Sequence, residues 1–176
     1  IVAEGSGETA LLLLPRDDIE CTKLLLAHEK LDPNHRGRSG ETVLEKTIGG
    51  RAEERIELLL SNPRLDLSIV PPISAPWAGN TPLMVFVNRG YTKLLKLALE
   101  HPSGTGDPNE VSNDGETALH CAARKADSPW HTMRPQAIGS PAVDCAKLIL
   151  GDRRFERLHH RDAYGMTARD YAQNIV

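Results

Sequence analysis

A histidine stands beside a cysteine in the stretch "DGETALHCAARK", as His120 and Cys121. An imidazole that activates a thiolate makes a nucleophile, and the same two side chains can supply half of a zinc site. Successive helical residues diverge by about 100°, however, so the two side chains do not face each other. His131, Cys145, His159 and His160 could complete a metal set only through long-range folding, because no HxxxH or CxxC spacing joins them. The pair His159 and His160 reads as part of a solvated hairpin, "ERLHHRDAYG". "GSGE" at Gly5 to Glu8 lacks the lysine of a phosphate-binding loop, and no GxSxG elbow is present. In "GGRAEERIELLL" the charges alternate around Ile56, Leu58 and Leu59, the pattern of a solvated helix face. The residues predict no catalytic group, no metal and no cofactor. A Cys/His enzyme remains the contrary reading, and it requires a reactive Cys121.

The elements that carry these residues repeat. "GETAL" at Gly7, "GETVL" at Gly40, "GNTPL" at Gly79, "GETAL" at Gly115 and "GMTAR" at Gly165 follow one template: Gly, any residue, Thr, a small residue or Pro, then Leu, with Arg in the fifth copy. Successive glycines lie 33, 39, 36 and 50 residues apart. From Gly40 to Leu58 and from Gly79 to Leu97 the distance is 18 residues, so each phrase precedes a second apolar helix at a fixed offset. The offset from Gly115 to Leu148 is 33 residues, which requires an insertion. Glycine permits the positive φ of a tight turn, threonine caps the helix that follows, and Pro82 fits a first helical turn. Leu11, Leu44, Leu83 and Leu119 are the expected core positions, with small Ala122 and Ala123 allowing close approach. "LDPN" at Leu31 and "DPN" at Asp107 supply turn chemistry.

The totals narrow the function. With 176 residues, 40% hydrophobic and 26% charged, the chain suits one folded unit or one short stack. A formal charge of −3 gives no basic field for nucleic acid, and no apolar run reaches the roughly 20 residues of a membrane span. Three widely separated cysteines suit reduced, buried thiols in an intracellular protein, cytoplasmic or nuclear. A first residue of Ile rather than Met suggests a piece of a longer chain, so a regulatory or targeting segment of a larger enzyme or signalling protein is the alternative reading.

These phrases resemble the ankyrin repeat, whose consensus runs DxxGxTPLHxAAxxG. "GETALHCAA" at Gly115 matches it closely, "GNTPL" is followed by Gly90 at the second consensus glycine, and "DAYG" keeps the leading Asp. The resemblance implies a right-handed all-α solenoid spanning residues 1–176. Its repeats fall near 4–36, 37–75, 76–111, 112–161 and a partial 162–176, with insertions at 66–78 and 126–142. Pro15 should end the first helix early, and Arg169 replaces the consensus Leu in the last copy, as suits terminal caps. The family's histidine supports its turn, which gives His120 a structural role. The resemblance further implies a non-enzymatic, monomeric module that binds a protein partner on a concave face and hairpin tips. Carried over by position, that face comprises Arg38, Ser39 and Glu41; Trp77, Ala78 and Asn80; Asn113, Asp114 and Glu116. Asn88, Arg89, Arg124 and Lys125 join it from the helix ends. Trp77 and Trp130, in Pro-rich loops, either anchor a partner or fold back to plug their own grooves.

Overall fold

A computed structural model describes residues 8–68, 79–104, 106–126 and 140–173. The helices are α1 (Ala10–Leu13), α2 (Ile19–Ala27), α3 (Val43–Gly50), α4 (Glu53–Leu60), α5 (Pro82–Arg89), α6 (Thr92–Leu99), α7 (Ala118–Ala126), α8 (Pro141–Gly151) and α9 (Ala168–Gln173). They pair as α1/α2, α3/α4, α5/α6 and α7/α8, with α9 packed on α7. Two rows result. The inner row is α1, α3, α5, α7 and α9; the outer row is α2, α4, α6 and α8, each packed on the next.

The repeated phrase acts locally as its residue types dictate. Thr9, Thr42 and Thr81 cap α1, α3 and α5 by accepting the backbone N–H of Leu12, Glu45 and Met84. Gly40, Gly79, Gly115 and Gly165 carry φ of +77°, +80°, +72° and +75°, a region open to glycine at little cost. Pro82 occupies the first turn of α5, and α1 stops at Leu13, one residue before its C-cap and two before Pro15. Leu11, Leu44, Leu83 and Leu119 are all buried, beside the outer-row core of Ile56, Leu59, Leu95, Ala98 and Ile149. Each such Leu or Ile side chain contributes about 1.5–3 kcal/mol by leaving water.

One charge departs from the expected solvated face. Arg55 on α4 is only 2% exposed. Its guanidinium donates to the carbonyls of Leu11 at 2.8 Å, Leu14 at 3.3 Å and Pro15 at 2.9 Å. Leu11 O is the helix carbonyl that Pro15, with no N–H, cannot satisfy, and Leu14 and Pro15 follow directly after α1. The buried arginine and the early stop are therefore two halves of one arrangement.

Side chains also fasten one unit to the next along the outer hairpins. Asn34 Nδ2 donates to Arg64 O at 2.8 Å while its Oδ1 accepts the Asp66 N–H at 2.8 Å. Asn109 does the same two units later, to Arg154 O at 2.7 Å and from Glu156 N–H at 2.8 Å. In return Arg64 donates to Glu29 O and Leu31 O, and Arg154 to Leu99 O. The DPN phrases are thus inter-unit fasteners as well as turns.

Beside the second fastener, burial and then the charges of Asp107 and Asp66 push the Glu110 carboxyl up to about 7. Its folded pKa exceeds the unfolded 4.5, so folding favours the protonated form. Stability from this group is complete below about pH 4.5 and is lost as pH rises through about 7. Glu110→Gln should flatten that slope and raise stability at pH 8 by ~1–2 kcal/mol. Denaturant titrations of both proteins at pH 4.5 and pH 8 check this; a parallel pH dependence in the variant would contradict it.

Candidate protein-binding surface

The hairpin tips are built from one turn used three times. Gly37, Ser112 and Asp162 each donate their N–H to the carbonyl four residues on, at 2.8–3.0 Å, and each carbonyl accepts the N–H of the glycine three residues on. The turns are stacked by backbone bonds: Asn113 N–H to Gly79 O at 3.1 Å, and Ala163 N–H to Asp114 O at 2.8 Å. Their internal N–H groups are satisfied differently. Ser112 Oγ accepts from Asp114 and Glu116, and Asp162 Oδ1 accepts from Tyr164 and Met166. Gly37 has no side chain to offer, and Glu8 Oε1 accepts the Arg38 N–H at 3.0 Å instead.

The third residue of each helix completes the turn. Glu45 Oε2 accepts the Thr42 N–H at 2.7 Å, and Asp170 Oδ2 accepts the Thr167 N–H at 2.8 Å. At the equivalent position His120 Nδ1 accepts the Thr117 N–H at 3.2 Å. That role leaves the proton on Nε2, which donates to His160 O at 3.1 Å and Met166 O at 3.2 Å. His160 is half-buried rather than solvated, its Nε2 donating to Gly115 O at 3.0 Å, whereas His159 is exposed. Tyr171 donates to Asp162 Oδ2 at 2.6 Å and sets its ring edge-on to His120. This cluster is a packed joint between α7 and α9.

Cys121 is fully buried, and burial first, then the Glu116 charge, push its thiol up to about 12. The thiolate a nucleophile needs is thereby suppressed. Cys145 is also buried, but Cys21 is exposed, which corrects the expectation of three buried thiols. Iodoacetamide at pH 8 should therefore modify the native chain only at Cys21, and slowly, because Asp18 raises that thiol. Mass spectrometry of labelled peptides checks it; rapid labelling of Cys121 without denaturant would restore the enzyme reading. Among the described residues no three His, Cys, Asp or Glu side chains converge as a metal set, and His131 lies outside them.

Of the residues expected at the partner face, Arg38, Ser39, Asn113 and Asp114 are exposed at the tips, and Glu41 and Asn80 are half-buried beside them. Glu116 is placed differently from its expected position at a tip. Its N–H and C=O close the turn, and its buried carboxylate pairs with Arg124 at 3.1 Å. Asn88, Arg89 and Lys125 are half-buried at the ends of α5 and α7, and Arg124 is exposed. Arg89 donates to Ile48 O at the end of α3. Trp77, Ala78 and Trp130, with most of both insertions, lie outside the described residues. The tip also contains Tyr164, 75% exposed and in register with Ser39 and Asp114, which the sequence reading missed. Its signal was "DAYG", where the tyrosine occupies the residue before the turn glycine.

The family model for ankyrin repeats in three copies matches residues 54–130. No curated protein sequence matches the chain. Among solved structures, the ankyrin repeat domain of Bcl-3, described as a unique member of the IkappaB protein family, superposes with a TM-score of 0.61 at 20% identity. The match covers 87% of this chain and 57% of that one, and the likeness is one of fold.

Proposed function

Because the chain carries ankyrin repeats in an all-α stack, a fold that generally serves protein–protein interaction, we propose that it is a non-enzymatic module binding a protein partner on its hairpin tips and inner helices. The observation that carries this reading is the line of stacked turns. Backbone bonds within the turn hold exposed Arg38 and Ser39, and bonds from turn to turn join those that carry exposed Asn113, Asp114 and Tyr164, so little ordering entropy opposes a partner that touches them. Tyrosine and arginine are the residue types that most often dominate binding energy. Chemistry has less to draw on, because His120 serves as a helix cap and Cys121 is held as a buried thiol. The division into repeats given above, and Trp77 and Trp130 as further anchors, belong to the same proposal.

The test is capture from a lysate of the source with the native chain and with Arg38→Ala/Tyr164→Ala. Both substitutions lie on exposed tips, so thermal unfolding should be unchanged while at least one captured protein is lost or weakened by about tenfold or more. If the folded variant retains every captured protein at equal yield, the tip edge is not the binding surface.

A further inference from the structure

The formal charge of the chain is −3, yet its inner row is basic. Along α3, α5, α7, α9 and their C-caps the cations are Lys46, Arg51, Arg89, Arg124, Lys125 and Arg169, of which Arg124 is paired with Glu116 from the preceding turn. The carboxylates on those helices are Glu45 and Asp170, and both are committed to threonine N–H groups as helix caps. The outer row balances itself instead, through Lys23–Glu20, Lys93–Glu57 and Lys147–Asp144. Cations at helix C-termini offset the helix dipole, which accounts for the direction in which Arg89 reaches Ile48 O. It does not account for a cavity. Arg89, Lys125 and Asn88 line a hollow of about 130 Å³ with Gly90 and the first turn of α8 at Pro141 and Ala142. Among the described residues no carboxylate lines it, and none engages Arg51, Arg89 or Lys125.

We propose that the partner is an acidic protein segment lying along the inner helices, with one of its carboxylates seated between Arg89 and Lys125. This rests on the protein-binding reading above and adds the charge class of the partner. Two basic residues and the start of an eleven-residue helix line the hollow, and Arg89, bonded to a neutral carbonyl, keeps its charge uncompensated, a combination that favours an anion. Its size admits the end of one side chain. A nucleic-acid strand would bring a charge at every phosphate to a body of net negative charge, so spaced carboxylates among apolar residues suit this surface better.

The experiment selects a displayed library of random 12-residue peptides on the intact chain in low salt. Selected peptides should be enriched in Asp and Glu. The best of them should bind about tenfold more weakly to Lys125→Glu and to Arg89→Gln/Lys125→Gln, with the fold of both variants checked by circular dichroism. Using two variants guards against loss of the Arg89 bond to Ile48 being mistaken for loss of binding. Neutral or basic selected peptides, or acidic ones indifferent to both variants, overturn the proposal. So does a single-stranded 12-nucleotide DNA that competes as well as the peptide. If nothing is enriched while lysate capture succeeds, the charge assignment fails and the protein-binding reading stands. If lysate capture fails as well, both fall.

Discussion

Replacing Arg55 by alanine is expected to lower the unfolding free energy by about 3–5 kcal/mol, seen as a fall in the urea midpoint with an unchanged slope. The carbonyls of Leu11, Leu14 and Pro15 lose a charged donor, the Leu11 carbonyl in a buried site, and a bond of that kind is worth about 1.5–3 kcal/mol. The vacated space then adds a cavity cost. Total stabilities of ordinary domains are only about 5–15 kcal/mol, so the variant should approach the threshold of folding. Arg55→Lys separates charge from geometry. A single ammonium cannot reach three divergent carbonyls as a guanidinium does, so lysine should recover less than half of the loss. A cost below about 1 kcal/mol for the alanine variant would mean that water or the backbone replaces the guanidinium.

His120→Ala is expected to cost about 3 kcal/mol and to act first on the end of the stack. The side chain is 1% exposed and joins Thr117, on its own turn, to the carbonyls of His160 and Met166 in the next. In a repeat array each unit contacts only its neighbours, so weakening this joint should release residues 160–173 before the rest. Circular dichroism should show a small early transition, and amide exchange in α9 should rise well before that in α5. His120→Gln keeps an acceptor and a donor on a side chain of similar reach and should restore part of the loss. A single unchanged transition in the alanine variant would show that α9 is held by its apolar contacts.

These two residues mark where the sequence could and could not be read. The threonine caps, the turn glycines, the early end at Pro15 and the supporting role of His120 were legible because each depends on residues within one turn of the chain. Arg55 was misread as part of a solvated face because the groups that explain its burial lie 40–44 positions away, and a charge pattern carries no trace of them. Glu116 is expected at the partner face by its position in the family's repeat, but its carboxylate is buried and paired with Arg124, a partner eight residues on that the position does not reveal. Tyr164 escapes that reading because its copy departs from the template at Arg169, which suits a cap rather than part of the binding edge. The basic inner row was hidden by mixing. In sequence its cations alternate with the acids of the outer helices, and only the two-row packing separates the signs.

The three tip turns share a backbone yet differ in self-sufficiency. Those at Ser112 and Asp162 hold their own amides with a side chain from within, and either could keep its shape if the neighbouring turn were lost. The turn at Gly37 depends on the carboxylate of Glu8, some thirty positions upstream, and any β-carbon at Gly37 would strike that carboxylate at 2.6 Å. Loss of residue 8 is consequently contagious: once it leaves, the finger at Gly37 loses its shape too, whereas the fingers at Ser112 and Asp162 can outlast their neighbours. The array therefore has a direction, with a hairpin near residue 37 whose readiness to bind is set by whatever holds residue 8 in place.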